Sequence, residues 1–267
     1  MDIPNETQTN ARRVAATFVE ARKSGLALTE FPGERPVDLA SAYEIQDCAL
    51  ALWDRPIGGW KVGRIGEPTA GELGADRLVG PIFADAIFQA DEKCISMPIF
   101  VNGFAAAEAE FMLRLAPPTG AAVPDSNAQV MEWVDEIRIG IEIASSPYPD
   151  INRDGPCVTI SDHGNNAGLV LGKTVDQSQW ENLDAIAVAL DIDGKNAGKG
   201  SVATMLDGPF GAVRFLLANL RVRGIEPQAG WWISSGAITG VHDVNPGNEV
   251  VARFAAIGDV RALVTRS

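Results

Sequence analysis

The sequence predicts an α+β chain: a helical N-terminal region ahead of a mostly β body. Three observations carry this. Apolar residues recur at helical spacing through the first fifth of the chain. After Gly58-Gly59 the character changes to short β-rich pieces divided by Gly, Pro and Asn. Those pieces do not alternate regularly with helices, which argues against a doubly wound nucleotide-binding fold. The expected division is 1–57 for the helical region and 58–267 for the body, together one structural unit.

Residues 6–24 read as an amphipathic helix, with Ala11, Val14, Ala15, Phe18 and Ala21 inward and Gly25 as its stop. A linker with Pro32, Gly33 and Pro36 follows. Asp38 is placed to cap a second helix, with Leu39, Ala42, Ile45 and Leu50 inward. The β-rich pieces are GGWKVG, VGPIFADAIF, CISMPIFVNG, EIRIGIEIAS, CVTISD and AGLVLGKTV, then GWWISSGAITG and EVVARFAAIGDVRALV. Ile139, Ile141 and Ile143 fall on one face of a strand, Gly140 and Glu142 on the other. Asp193-Gly194 marks a hairpin turn between two alternating runs. PFGAVRFLLANLRVRG is a helix, with Val213, Leu216, Leu217 and Leu220 periodic and Gly224 at its end.

Composition narrows the function classes. Hydrophobic residues make up 46% and charged residues 21% of 267, an ordinary globular balance. A net charge of −13 argues against general nucleic-acid binding, which needs a basic surface. It leaves an anionic small substrate open, since a bound metal or a lysine can reverse the field inside one pocket. Cys48, Cys94 and Cys157 lack zinc-ligand spacing and suggest a reducing cytoplasm. The polar start MDIPNETQTNARR predicts no secretory signal, and no apolar run is long enough for a membrane span.

FVNGFAAAEAEFMLRLAPPT buries Glu108 and Glu110 in an apolar run. As a strand, this segment sets both carboxylates on one face, where they repel unless a cation lies between them. As a helix, it lets them diverge toward solvent. Glu142 adds a third carboxylate, between Ile141 and Ile143 and with small same-face neighbours that leave room. Three such carboxylates on β-rich segments suit Mg²⁺, Mn²⁺ or Ca²⁺. Lys61 in GGWKVG is either a snorkelling lysine on a strand edge or, beside a metal, a proton carrier. Asp162 and His163 in SDHGNNAG are either turn residues or part of a pocket mouth. Ser235 and Gly236 follow a Trp pair and either form a tight turn or line a pocket. DIDGKNAGKGS fits neither a calcium loop nor a phosphate loop, and no G-x-S-x-G elbow is present.

Taken in order, SAYEIQ, GGWKVG, EAEF, IEIAS, ISDHGNNAGLVLG, GKGSVATMLDGPFGAVRFLLANL, ISSGAITG and NPG resemble the motifs of one group. It is the 2-keto-4-pentenoate hydratase and 4-oxalocrotonate decarboxylase group of the fumarylacetoacetate hydrolase superfamily. The resemblance implies a mixed, barrel-like β-roll body of the fumarylacetoacetate hydrolase C-terminal type and a homo-oligomer. It implies Mg²⁺ or Mn²⁺ on Glu108, Glu110 and Glu142, with Lys61 close by. Lys61, Asp162 and His163 are the expected catalytic residues, and Ser235 and Gly236 the expected substrate contacts. The implied reaction is hydration of a 2-hydroxy-2,4-dienoate, through its 2-oxo-3-enoate form, to a 4-hydroxy-2-oxo acid. Decarboxylation of a 2-oxo acid or C–C hydrolysis are the alternatives. The expected partner is thus a small anionic 2-oxo acid, with no nucleic acid and no membrane. Three departures stand out: no D-S-R after Glu142, His163 in place of an asparagine, and Val79 where an acidic residue often precedes the next glycine. They point to an altered substrate choice around a retained metal core.

Overall fold

The computed structural model describes residues 6–90 and 94–267. The chain opens with α1 (Glu6–Ser24) and α2 (Leu39–Leu50). α1 buries Ala11, Val14, Ala15, Phe18 and Ala21, the stripe that its apolar spacing draws. Gly25, with φ 69°, ends it in the left-handed conformation that glycine adopts without strain. Asp38 caps α2 by accepting from the Ser41 N–H at 2.8 Å.

The body follows with β1 (Ile57–Arg64), α3 (Thr69–Leu73), β2 (Arg77–Phe83), β3 (Ile87–Gln89) and β4 (Cys94–Ile99). Next come β5 (Phe104–Leu115), α4 (Asn127–Met131), β6 (Val134–Ser146), α5 (Pro156–Ser161) and β7 (Asn166–Thr174). The chain ends with β8 (Val188–Ile192), β9 (Lys195–Gly200), α6 (Gly208–Val222), β10 (Trp232–Ser234), β11 (His242–Asp243), β12 (Glu249–Phe254) and β13 (Gly258–Arg266).

Among the described residues the strands form two mixed sheets. One runs β2-β1-β10-β5-β6-β7-β3, with β11 also on β5; the other runs β4-β13-β12-β8-β9. The pairs β1–β10, β3–β7 and β4–β13 are parallel and the rest antiparallel. Curled mixed sheets with helices bear out the α+β expectation. Phe111, Leu113, Ile139, Ile141 and Ile143 on one face of β5 and β6 share the main core with Val250, Ala252 and Phe254 of β12. The rings of Phe111 and Phe254 lie 5.3 Å apart across it. The opposite face of β5 and β6 is left for the three glutamates. A second cluster joins α1 and α2 to Tyr148, Ile151 and Val158, seating the helices beside β6 and α5.

The SAYEIQ segment works as a fastener. Tyr43 Oη accepts from the Val79 N–H at 3.1 Å, and Gln46 Nε2 donates to the carbonyls of Val79 and Ile160. α2 is thereby tied to β2 and α5.

One predicted strand is wrong. CVTISD forms the helix α5, not a strand. Pro156 occupies its first turn and Gly155, with φ 96°, precedes it, a helix-starting arrangement. Residues Cys157–Ser161 are all buried, so no polar face reveals a helical period.

Candidate metal centre

The ambiguous EAE segment is strand. In the β5–β6 ladder Glu108 stands directly opposite Glu142, and Glu110 opposite Gly140. Antiparallel partners share a face, so pleat and register bring all three carboxylates to one place. One oxygen from each lies within 4.8 Å of the others, and the residues are 6%, 0% and 0% exposed. The room left by Gly140 is taken by Met112: a Cβ at Gly140 would come 2.7 Å from the Met112 Cγ.

Glu110 and Glu142 are each held through one oxygen only. Glu110 Oε2 accepts from the Ser234 hydroxyl at 2.5 Å and the Gly236 N–H at 2.7 Å. Glu142 Oε1 accepts from Asn166 Nδ2 at 2.9 Å and pairs with Lys61 Nζ at 3.1 Å. Glu110 Oε1 and Glu142 Oε2 are buried with no hydrogen-bond partner among the described residues. Buried carboxylate oxygens without a donor are costly, so these atoms call for a cation. Oxygen donors of this type, converging and otherwise unsatisfied, fit a hard divalent ion.

Fully ionised, three carboxylates and one ammonium leave a net −2. Burial pushes Glu108 up to about 7, with Lys61 opposing and Glu142 adding to the rise. Burial, then repulsion from Glu142 and Glu108, holds Glu110 well above the usual carboxylate range. For Lys61, burial acts to lower the pKa, but attraction to Glu142, Glu108 and Glu110 outweighs it and the net shift is upward.

Lys61 comes from β1, which lies between β2 and β10 in the larger sheet, not from an edge strand. It is 5% exposed and its Nζ also donates to Asn165 Oδ1 at 3.2 Å. Asn165 Nδ2 in turn donates to Asn152 Oδ1 at 2.8 Å. A cavity of ≈ 310 Å³ opens over Lys61 and Glu108 and is lined further by Arg64, Thr69, Asn152, Thr159, Asn165 and Val241. A larger depression of ≈ 930 Å³ beside Tyr43, Cys48, Leu52 and Val222 is mostly apolar and contains none of the three glutamates.

The remaining expected residues are placed differently. Asp162 is buried against Arg22, whose Nε and Nη2 donate to its two oxygens at 2.5 and 2.9 Å. Against burial, which acts to raise it, that guanidinium takes the Asp162 pKa down to about 2. His163 faces Asp162 through Nδ1 at 3.4 Å and receives the Trp53 indole N–H on Nε2 at 3.1 Å. Burial lowers its pKa, and both ring nitrogens are engaged. Neither residue lines the cavity over Lys61. The Ser235 hydroxyl donates to the Phe111 carbonyl at 2.8 Å, which spends it on β5. Gly236 reaches the site through its N–H to Glu110.

Reading the sequence passed over Asn165, Asn166, Asn152 and Arg22, and of the two adjacent serines it chose Ser235 where Ser234 holds Glu110. The asparagines stand in or near SDHGNNAG, where turn chemistry masks a binding role. Ser234 precedes Ser235 by one residue, and strand alternation decides between them. Nothing local marks Arg22, 140 residues from its partner.

No family model matches the chain. It is 26% identical over 261 residues to 2-keto-4-pentenoate hydratase from Paraburkholderia xenovorans, covering 96% of this chain and 95% of that protein. It is 23% identical over 206 residues to a 4-oxalocrotonate decarboxylase from Pseudomonas putida, covering 77% and 76%. Among solved structures, 4-oxalocrotonate decarboxylase from Pseudomonas putida, complexed with magnesium and adipate, has a TM-score of 0.80 at 20% identity, covering 98% of this chain and 100% of that one. Fumarylpyruvate hydrolase from Pseudomonas aeruginosa, in complex with Mn²⁺ and pyruvate, has a TM-score of 0.58 at 17% identity, covering 80% and 91%. These relatives bear out the resemblance drawn from the motifs: the chain shares the fold of 4-oxalocrotonate decarboxylase and aligns over nearly its whole length with 2-keto-4-pentenoate hydratase.

Proposed function

We propose that the chain is a divalent-metal-dependent lyase acting on a 2-oxo acid or its dienol, with hydration of a 2-hydroxy-2,4-dienoate as the first reading. The observation that carries it is the set of three buried, converging carboxylates, of which Glu110 and Glu142 each keep an oxygen with no protein donor, with a lysine ammonium beside them. Glu108, Glu110 and Glu142 would hold Mg²⁺ or Mn²⁺. When bound, such an ion supplies Lewis acidity toward the substrate's carboxylate and C2 oxygen.

The protein's own groups do the rest. Ser234 and the Gly236 N–H fix one oxygen of Glu110, and Asn166 fixes one oxygen of Glu142, so the carboxylates need not reorganise when substrate arrives. Three carboxylates keep Lys61 protonated, so it enters the tautomerisation as the acid. Asn165 holds Nζ on the other side and sets the direction in which that proton leaves. Water then adds at C4 of the 2-oxo-3-enoate, giving the 4-hydroxy-2-oxo acid. With both nitrogens of His163 engaged, Asp162 and His163 support the loop instead of activating water.

Arg64 favours a second reading, decarboxylation of a 2-oxo dicarboxylic acid. It lines the cavity with Lys61 and forms no ion pair among the described residues, so it is free to take a second carboxylate. Homo-oligomer formation, implied by the resemblance, and a cytoplasmic location, suggested by the cysteines, belong to the same proposal, as does the joint working of 1–57 and 58–267. No helix of the described residues is long and apolar enough to cross a membrane.

The test is product NMR with 2-hydroxypenta-2,4-dienoate and, separately, 2-oxohex-3-enedioate, each with Mg²⁺ and with chelator. Metal-dependent formation of 4-hydroxy-2-oxopentanoate supports hydration; metal-dependent CO₂ release from the diacid supports decarboxylation. No turnover of either acid by metal-loaded protein rejects the proposal.

A further inference from the structure

Residues His163, Gly164 and Asn165 run consecutively at φ 57°, 62° and 58°. Two of the three carry side chains in a region that L residues rarely adopt, and such runs persist only where the surroundings over-determine them. Gly164 meets this demand without a Cβ, which would lie 3.1 Å from the Gly80 Cα and 3.2 Å from the Lys61 Cδ. The loop therefore presses against the site lysine. Its flanks are both held by one side chain. The Arg22 guanidinium takes the Asp162 carboxylate before the run and, through Nη1 at 3.0 Å, the Asn166 carbonyl after it. Nη2 also donates to the Ser145 carbonyl at 3.1 Å, three residues past Glu142 on β6. The group is almost fully enclosed, with its side chain 10% exposed.

The consequence falls on the metal centre. Asn165 carries the oxygen that faces Lys61, and Asn166 carries the amide that faces Glu142. Both belong to the segment whose two ends Arg22 closes.

We propose that Arg22 is a positioning residue of the carboxylate site: its guanidinium staples the left-handed loop 163–165 to β6 and so sets Asn165 against Lys61 and Asn166 against Glu142. This rests on the metal reading for one of its tests and on none of it for the other.

The variants are Arg22→Met, Arg22→Lys, which keeps the charge but loses the fork, and Val14→Ala, a core truncation in the same helix that leaves the guanidinium untouched. Hydrogen exchange read on peptides spanning 159–170 needs no metal and no substrate. Arg22→Met is expected to speed exchange there about tenfold or more while the β12–β13 hairpin stays protected, Arg22→Lys to fall between, and Val14→Ala to leave the segment at wild-type rates. Calorimetric titration with Mn²⁺ is expected to show a dissociation constant raised about ten- to a hundredfold in Arg22→Met and unchanged in Val14→Ala, as when a partner that orients a ligand is lost. Should Arg22→Met fail to fold, Arg22→Lys carries both measurements. Wild-type exchange in 159–170 in a folded Arg22 variant overturns the staple. Equal effects of Val14→Ala and Arg22→Met overturn it too, by showing only general destabilisation. If wild-type protein does not bind Mn²⁺, the metal reading fails and the exchange result alone decides for or against the staple.

Discussion

Glu110→Gln is expected to stabilise the metal-free protein while abolishing its response to metal. Gln retains an oxygen for Ser234 and Gly236, and its amide lands where Glu110 Oε1 now has no partner, facing Glu108 and Glu142. One of three buried like charges disappears. Two unit charges at the 4.8 Å limit of this cluster repel by about 3.5 kcal/mol at an effective dielectric of about 20, before Lys61 offsets part of it. Partial protonation caps the penalty further, so a gain of about 1–3 kcal/mol is the working figure. For a chain of this size that raises Tm by roughly 3–10 °C. The sign depends on pH. A carboxyl whose folded pKa is raised destabilises the fold as pH climbs above its unfolded value. The Glu110→Gln advantage must therefore be absent below about pH 4 and open as pH rises. The assay is thermal unfolding of chelator-treated protein across pH, repeated with Mn²⁺. Wild type should gain about 2.7 kcal/mol with Mn²⁺ at a hundred times its dissociation constant, and Glu110→Gln nothing. A lower Tm for metal-free Glu110→Gln, or an intact Mn²⁺ response, would refute the reasoning.

Lys61→Met should cut kcat about 10²–10⁴-fold while Mn²⁺ still binds by calorimetry, because in the proposed reaction the residue moves a proton and is not a ligand. Arg64→Leu should separate the two substrates: kcat/KM for a 2-oxo dicarboxylic acid falls about ten- to a hundredfold, that for the monoacid holds, and steady-state kinetics on both acids reads the split. Asp162→Asn should flatten the acid limb of stability. With a folded pKa of about 2 against 3.8, the native carboxylate contributes about 2 kcal/mol above pH 4 that is lost as pH falls toward 2, and acid titration followed by circular dichroism measures it. Gly80→Ala should fail to accumulate as soluble protein or lose Mn²⁺ binding, since the new Cβ would stand 2.1 Å from the His163 carbonyl oxygen, a backbone atom that cannot swing aside.

What the sequence reveals and hides follows from the range of each interaction. Helical spacing gives α1 its bounds of 6–24 because a solvent face and a core face differ within one turn. Asp193-Gly194 predicts its hairpin because both residues take positive φ, 49° and 73°, and few sequences tolerate that. The glutamates are legible as residue types, but strand against helix is undecided at E-A-E, and only the pairing of β5 with β6 settles it. α5 is misread because burial on all sides erases its period. The partners of Glu110, Glu142 and Asp162 lie 126, 24 and 140 residues away. No local pattern encodes a contact that exists only after the sheet and α1 have docked.

The register of β5 against β6 has a consequence for how the chain reaches this fold. A slip of one residue turns every side chain over. It would drive Glu108 and Glu110 into the layer now filled by Phe111 and Phe254, and bring Phe111 and Leu113 out to where the cation belongs. Mispaired strands would therefore carry stranded charge on one side and exposed grease on the other, and could not be rescued by metal. The same glutamates that are proposed to bind a cation would thus also proofread the pairing of β5 with β6.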